Sequence, residues 1–282
     1  MTSRTPRQRA VRTAVVSAVV LGVLGAVVAL VWSMQRTLIY FPDASAPPPA
    51  DRVIAGATDV TFTTSDGLEL AAWFVPPAPA ADRDLAVLVA PGNGGHRAGR
   101  ADLAEALRAR GFAVLLMDYR GYGGNPGDPT EEGLLSDARA AVGALASRGY
   151  PPARTLYLGE SLGCGVVAEL QAEVPPAAIL LRSPFVSLTE VGSHHYPYLP
   201  VRWLLRDRFE VASRLSDSSV PVTVVSGDAD TIVPPEQSAR VAEAAGTLVE
   251  HEVIDGAGHN DPVMFGPRVA DAAVRLADAT DR

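Results

Sequence analysis

The chain has 282 residues, of which 48% are hydrophobic, and its formal net charge at pH 7 is -8. This length suits one large α/β domain with a packed core and a short appendage, or two small domains. The negative charge argues against a nucleic-acid-binding protein, because neutralising phosphates requires clustered Lys and Arg. The single cysteine, Cys164, excludes an intramolecular disulfide.

The first residues predict a membrane anchor. Residues 1–12 form a basic leader with four arginines and no acidic residue, and residues 13–33 form an almost unbroken apolar run. About 20 apolar residues are what a helix needs to cross the hydrocarbon core of a bilayer. A cleaved signal peptide would have a shorter apolar region with a small-x-small site soon after it, and here the first such site, at 44–46, lies well downstream. We therefore favour an uncleaved signal anchor over a cleaved signal peptide.

The charges that flank the apolar run predict its orientation. The four leader arginines precede the run, whereas Arg36 follows it with Asp43 close behind. This asymmetry predicts a cytoplasmic N-terminus in a single-pass cell-membrane protein, with the rest of the chain on the extracytoplasmic side. Residues 34–57, which contain a stretch rich in Pro and Ala, are predicted to be a linker, and 58–282 to be the main domain.

The main domain is predicted to begin with a hairpin and to continue as a parallel sheet. Residues 60–63 and 70–75 flank Asp66-Gly67, which is a hairpin signature. Short apolar runs typical of strands buried on both faces then follow, and a last strand is predicted near the C-terminus. These runs are 85–90, 113–117, 155–158, 178–181 and 222–225, and the last strand is 247–254.

Helical stretches alternate with these strands. Residues 100–110 and 132–148 have helical patterns, and each is followed by a glycine, which is a common helix stop. Alternating strands and helices predict an α/β fold with a mostly parallel, doubly wound sheet. In such sheets functional sites form at the carboxyl ends of the strands, so the loops after the strands are the candidate site.

One of these loops contains a Gly-x-Ser-x-Gly motif. The motif occupies 159–163, directly after a predicted strand and before a small-residue helix, and it is centred on Ser161. The two glycines permit a turn so tight that a Cβ at either position would clash. This strand–turn–helix context is what a nucleophile elbow requires, and a chance pentapeptide in a Gly-rich chain is the weaker explanation.

A serine nucleophile needs a base and an orienting acid, which should follow it in the order Asp, His. Asp230 lies directly after a predicted strand, and His259 lies in a glycine turn after the last strand. Imidazole suits the role of base because its pKa lies near neutrality and its two nitrogens can face acid and nucleophile at once. Asp228 is the rival for the acid; we favour Asp230 because it precedes a turn closed by Pro234, and we expect Asp228 to cap that turn.

An acyl-transfer enzyme also needs donors for the developing oxyanion. The backbone N–H of Leu162, the residue after the nucleophile, is the first expected donor. The second is expected from the loop after 85–90, where Asn93 is favoured and Gly94 is the alternative. A Gly-rich turn leading into a helix is the purely structural explanation of this loop, and both explanations can hold.

In these features the chain resembles membrane-anchored α/β-hydrolase-domain serine hydrolases related to the yeast bud-emergence protein, whose relatives include depalmitoylating thioesterases. The likeness runs from about the anchor to the C-terminus. The motifs that carry it are Leu-Ile-Tyr-Phe-Pro at 38–42, Gly-Asn-Gly-Gly at 92–95, Asp-Tyr-Arg-Gly-Tyr-Gly at 118–123, the elbow at 159–163, Asp230 with Val233-Pro234, and Gly258-His259. Pro91 and Asn125 depart from the family, which usually has His and Ser at those positions.

The resemblance implies an α/β-hydrolase fold with Ser161, Asp230 and His259 as the catalytic residues. We therefore expect a serine esterase or thioesterase acting on a small or lipid-like acyl substrate, with no cofactor and no metal. Aminopeptidase-like and depalmitoylating activities are alternatives, although an outward orientation disfavours the second because S-acylated cysteines are usually cytoplasmic. A membrane-tethered binding module that has lost turnover is the alternative of another class, and an intact triad disfavours it.

The segment between the strand at 178–181 and that at 222–225 is predicted to form a short cap insertion at about 185–217. Its aromatic side chains Tyr196, Tyr198 and Trp203 are candidates for an acyl pocket, and ordinary packing is an equally favoured explanation. His194-His195 does not predict a metal site, because adjacent residues point apart and no carboxylate lies at ligand spacing.

Overall fold

The computed structural model describes residues 6–280, so residues 1–5 of the predicted basic leader lie outside the described residues. The chain divides into two compact units, one that ends at Ile39 and one that begins at Tyr40. The first unit contains a single helix, α1 (Pro6–Ile39), of 34 residues. Its most apolar window has a mean hydropathy of 2.8, so by length and composition α1 is able to cross a membrane.

The second unit is built on a twisted, mostly parallel sheet. Among residues 6–280 this sheet has eight strands, in the order β10-β9-β8-β7-β4-β6-β3-β2. The strands from β10 to β6 in this order are parallel, and β3 and β2 add an antiparallel hairpin at one edge. The strands are β2 (Thr58–Thr63), β3 (Glu69–Val75), β4 (Leu85–Ala90), β6 (Phe112–Met117), β7 (Thr155–Glu160), β8 (Ala178–Arg182), β9 (Val222–Gly227) and β10 (Leu248–Ile254); the short strands β1 (Phe41–Pro42) and β5 (Gly94–Gly95) pair with each other.

The burial of the strands explains why the sequence pattern predicted them correctly. Every residue of β6, β7, β8 and β9 is buried, so these strands appear in the sequence as continuous apolar runs. The edge strand β2 instead alternates buried and exposed side chains along its second half, as expected for a strand with one face in water. The predicted hairpin and the six predicted later strands agree with the observed strands to within two residues.

Helices cover the sheet and lie between its parallel strands. α3 and α10 pack against each other, and α4 and α5 pack against each other next to β4 and β7. The apolar side chains of α3 and α10 share one core cluster with those of the central strands. The helices are α2 (Ala50–Val53), α3 (Ala101–Ala109), α4 (Glu131–Ala146), α5 (Leu162–Glu173), α6 (Leu188–His195), α7 (Val201–Leu204), α8 (Val211–Ser216), α9 (Pro235–Ala244) and α10 (Pro267–Thr280).

The segment 34–57, which is predicted from the sequence to be a linker, changes its conformation and its packing along its length. Residues 34–39 complete α1, whereas β1 pairs in parallel with β5 and the N–H of Phe41 donates to the carbonyl of Asn93 at 2.8 Å. Further along, Ala50 of α2 is fully buried. From Tyr40 onward the segment is therefore packed into the second unit.

Candidate active site

Ser161 lies in a strained turn between β7 and α5. Its backbone has φ +50° and ψ −111°, a conformation that residues with a Cβ seldom adopt. The N–H of Ser161 donates to the carbonyl of Arg182 at 2.8 Å, and its own carbonyl accepts from the N–H of Cys164 at 2.9 Å. The turn is thus held from the neighbouring strand and from its own helix, which presents the serine at the carboxyl edge of the sheet.

The two motif glycines are explained by contacts of the backbone. A Cβ added at Gly159 would lie 2.7 Å from the Cα of Cys164, and a Cβ added at Gly163 would lie 2.0 Å from the carbonyl oxygen of Ala90. Both distances are far shorter than carbon atoms tolerate, and both partners are backbone atoms that cannot rotate away. The Gly-x-Ser-x-Gly spacing is therefore a steric requirement of this turn.

His259 and Asp230 form a buried pair. His259 Nδ1 lies 2.6 Å from Asp230 Oδ2, and both side chains are buried. The other carboxylate oxygen of Asp230 accepts from the N–H groups of Ile232 at 2.9 Å and Val233 at 2.8 Å. Burial disfavours the charged carboxylate, but the hydrogen bond and charge of His259 and these two amides outweigh burial, so the pKa of Asp230 is held below its ordinary value.

Asp228 does not cap the turn that follows it, contrary to the expectation above. The turn amides donate to Asp230 instead, and Asp228 Oδ1 accepts from the N–H of Gly256 at 2.7 Å. The physical reason is that Asp230 can accept these amides with one oxygen while it contacts His259 with the other. Asp228 thereby holds the start of the loop that carries His259.

Ser161 and His259 border the same cavity, which has a volume of about 390 Å³. Asn93 and Gly94 also line it, and Leu162 follows Ser161 as the first residue of α5, where helix geometry leaves a backbone N–H without an intrahelical acceptor. The carbonyl of Asn93 is fixed by the N–H of Phe41 at 2.8 Å and by the hydroxyl of Tyr122 at 2.9 Å. The lining residues are Gly92, Asn93, Gly94, Gly99, Arg100, Glu160, Ser161, Ile232, His259, Asn260 and Phe265.

The cap aromatics lie elsewhere. The cavity around Ser161 is lined without Tyr196, Tyr198 or Trp203, and in the structure these side chains are exposed. Trp203 contributes instead to a second cavity of about 400 Å³ within the cap. None of the three aromatic side chains therefore belongs to the wall of the cavity that contains Ser161.

The two positions that depart from the family resemblance both support neighbouring loops. The carbonyl of Pro91 accepts from the hydroxyl of Tyr119 at 3.1 Å. The side chain of Asn125 accepts from the N–H of Ala71 at 2.8 Å and donates to the carbonyl of Asp118 at 3.0 Å. Asn125 therefore ties the loop after β6 to β3.

A buried charge cluster that the sequence analysis missed surrounds the serine turn. Glu160 accepts from Arg100 Nε at 3.0 Å and Nη2 at 2.6 Å, and Arg182 Nη2 lies 3.0 Å from Glu160 Oε1. Arg182 also donates to the carbonyl of His259 at 2.7 Å, and Arg100 to that of Gly94 at 3.1 Å. The cluster thus joins the serine turn, the histidine loop and the candidate oxyanion loop.

The charge state of this cluster is set by its two arginines. Burial opposes ionisation of Glu160, but the charges of Arg182 and Arg100 outweigh it and lower the pKa of Glu160 to about 2. The guanidinium of Arg182 also lies over the ring of Phe265, 4.5 Å from its centroid. An acidic residue inside the Gly-x-Ser-x-Gly motif was the signal available in the sequence, but nothing there identified its partners.

A parallel sheet with a strained serine turn at its carboxyl edge, and a His–Asp pair bordering the same cavity, define an α/β-hydrolase fold. Solved structures agree: an esterase of Pyrococcus furiosus superposes with a TM-score of 0.68 at 18% identity, covering 86% of this chain and 98% of that one. The esterase domain of a Rhodothermus marinus protein superposes with a TM-score of 0.60 at 22% identity, covering 80% and 98%. At these identities the likeness concerns the fold.

Sequence comparisons identify the family. An uncharacterized protein of Mycobacterium tuberculosis is 47% identical over 261 residues, which is 92% of each chain. This chain belongs to the same family as that mycobacterial protein. The family model for serine aminopeptidase S33 matches residues 81–209. The lysophosphatidylserine lipase ABHD12 of Danio rerio is 29% identical over 245 residues, covering 72% of this chain and 64% of the lipase.

Proposed function

We propose that this protein is a serine hydrolase that cleaves a carboxylic ester or thioester through an acyl-enzyme on Ser161. The observation that supports this most directly is the buried His259–Asp230 pair, which borders the same cavity as the strained Ser161 turn. A serine hydroxyl becomes a useful nucleophile when an adjacent base takes its proton, and the base works best when a third group orients it.

The proposed reaction assigns a role to each residue of the site. With Nδ1–H of His259 donating to Asp230, Nε2 is left as the acceptor for the proton of Ser161. Ser161 Oγ then attacks the acyl carbonyl, and the N–H of Leu162 together with a donor from Asn93, or alternatively Gly94, stabilises the oxyanion. His259 returns the proton to the leaving group, and a water molecule activated by the same histidine hydrolyses the acyl-enzyme.

An ester or thioester is the favoured substrate class. The esterase and lipase names of similar proteins support ester cleavage, whereas the serine aminopeptidase family model supports an aminopeptidase-like alternative. A depalmitoylating activity fits the same chemistry, since an acyl thioester forms the same acyl-enzyme. A binding module without turnover becomes the better explanation if a folded protein does not react with serine-directed reagents.

Labelling of the purified protein with a fluorophosphonate probe tests the proposal. We expect covalent labelling of the wild-type protein and none of Ser161→Ala, because the probe reacts with a serine activated by a neighbouring base. Ser213→Ala, a change at an exposed serine of α8, is the matched control and should label like the wild type. A folded wild-type protein that remains unlabelled would refute the hydrolase proposal.

We also propose that α1 anchors the protein in the cell membrane, with the second unit on the extracytoplasmic side. The length and apolar character of α1 support an anchor, and the arginines before it support this orientation. Fusion of alkaline phosphatase or green fluorescent protein after Arg282 tests it, since the first is active outside the cytoplasm and the second inside. We expect phosphatase activity without fluorescence, and the reverse result would contradict the orientation.

A further inference from the structure

The cap exposes a group of large apolar side chains that the proposed reaction does not use. We call it the cap patch, and it consists of Tyr196, Tyr198, Leu199 and Trp203. The exposed fractions of Tyr198 and Trp203 are 77% and 86%, and those of Tyr196 and Leu199 are 48% and 38%. Isolated exposed apolar residues are common, whereas groups that share one surface are typical of interaction sites. Here the rings of Tyr196 and Tyr198 lie edge to face with centroids 6.4 Å apart, and Leu199 and Trp203 line the same cavity. The question is which partner this surface fits.

The charge next to the cap patch points to an anionic partner. The chain as a whole is acidic, yet Arg202, Arg206 and Arg208 lie in or directly after the patch and are exposed. Asp207, the single acidic residue in 196–208, is buried. Tyr and Trp are the residues that sit at the level of lipid headgroups, and arginine pairs with phosphate. Their combination here fits the surface of an anionic bilayer.

Chain connectivity links the proposed anchor to the cap segment. Tyr40 is the first residue of that unit and directly follows the proposed anchor α1 in the chain. The hydroxyl of Tyr40 donates to Asp207 Oδ2 at 3.0 Å, and Asp207 lies four residues after Trp203. The chain that leaves the anchor is therefore fastened to the cap segment, at the side of the unit that carries the arginines.

The cap also adjoins the cavity that contains Ser161. His195, the last residue of α6 and the residue before the cap patch begins, has its Nε2 2.9 Å from the carbonyl oxygen of Ile232. Ile232 lines the cavity together with Ser161 and His259. A membrane docked on the cap patch would thus lie beside the entrance through which an acyl chain reaches the serine.

We propose that the cap patch is a membrane-docking surface for an anionic bilayer. Tyr198 and Trp203 enter the headgroup region, Arg202 and Arg208 contact lipid phosphates, and the cavity takes its acyl substrate from the bilayer. The identification of the substrate as membrane-borne rests on the proposed hydrolase function, and the docking itself rests on the proposed anchor. Docking in this orientation places the cavity entrance next to the lipid, although the cap itself is short.

Tryptophan quenching in nanodiscs tests the docking. The chain has three tryptophans: Trp32 lies in α1, Trp73 is fully buried, and Trp203 lies in the cap patch. The full-length variant Trp32→Phe is reconstituted in nanodiscs of phosphatidylcholine and phosphatidylglycerol, with lipids brominated near the headgroup. We expect these lipids to quench the emission of Trp203, and the matched control Trp32→Phe/Trp203→Phe, which retains Trp73, to show no quenching.

The outcomes separate the docking from the hydrolase proposal. Emission of Trp203 that brominated lipids leave unchanged would overturn the docking. The cap patch would then be assigned to a protein partner instead of a bilayer. Quenching that persists unchanged when phosphatidylglycerol is omitted would overturn the requirement for an anionic surface, whereas its loss would support the role of the arginines. Fluorophosphonate labelling of Ser161 in the same nanodiscs reports separately on the hydrolase function, so either proposal can fail while the other stands.

Discussion

Replacement of Asp230 by Asn is expected to lower kcat for a p-nitrophenyl ester by about 10⁴-fold, the size of effect seen when the acid of a Ser-His-Asp triad becomes an amide. The amide would present an N–H₂ group or a neutral oxygen to His259 Nδ1, 2.6 Å away, so the tautomer with a free Nε2 acceptor would no longer be enforced. Comparison of kcat and of the rate of fluorophosphonate labelling between the variant and the wild type measures this loss.

Asp228→Asn is the matched control for this prediction. Asp228 accepts from the N–H of Gly256, and an Asn side-chain oxygen can accept the same hydrogen bond. We expect its kcat to stay within a few-fold of the wild type. If Asp228→Asn were the slower variant and Asp230→Asn were close to wild type, the assignment of the orienting acid would have to be reversed.

Replacement of Glu160 by Gln is expected to reduce the free energy of unfolding of the second unit by about 3–5 kcal/mol, the cost of removing one partner from a buried ion cluster. Gln keeps the shape of the side chain but leaves Arg100 and Arg182 buried without the carboxylate that pairs with both of them. Urea unfolding followed by circular dichroism measures the change. Glu173→Gln provides a matched control, because its partnership with Arg139 is largely exposed and exposed ion pairs contribute about 1 kcal/mol or less.

The stability of the wild type and that of Glu160→Gln should also depend differently on pH. The pKa of Glu160 is lowered in the folded state to about 2, from an ordinary value of 4.5, so its ionisation stabilises the fold fully above pH 4.5. This contribution is lost progressively as the pH falls from 4.5 toward 2, and Glu160→Gln lacks it. We expect the stability difference between wild type and variant to shrink over that range. A difference that stays constant would show that the ion cluster is not its origin.

The reason to expect an effect on activity as well lies in what the cluster connects. Arg182 holds the carbonyl of His259 and Arg100 holds that of Gly94, while Glu160 directly precedes Ser161. Three loops from different strands are therefore fixed through one buried carboxylate. Loss of that carboxylate releases the base and the candidate oxyanion donor relative to the nucleophile, and misplacement by about 1 Å can lower a rate by about 10²-fold.

The parallel strands, the serine turn and the candidate triad could be predicted from the sequence, because local sterics and burial determine which residues occupy them. The strands from β6 to β9 are continuous apolar runs because both faces of a parallel sheet are buried. The turn at Ser161 is marked by Gly159 and Gly163 because backbone atoms within a few ångströms leave no room for a Cβ. The order of Ser161, Asp230 and His259 along the chain was sufficient to propose a triad, since each follows a strand and parallel strands end at the same edge.

The tertiary structure alone decided the contacts between residues that are distant in sequence. Glu160 is 60 residues from Arg100, and Arg182 is 77 residues from His259, so no local pattern linked them. Asp228 and Asp230 are two residues apart with similar surroundings in the sequence, and their different partners depend on where the loops meet. The exposure of Tyr198 and Trp203 was likewise decided by the tertiary structure, because an aromatic side chain in a sequence does not reveal whether it borders a cavity or solvent.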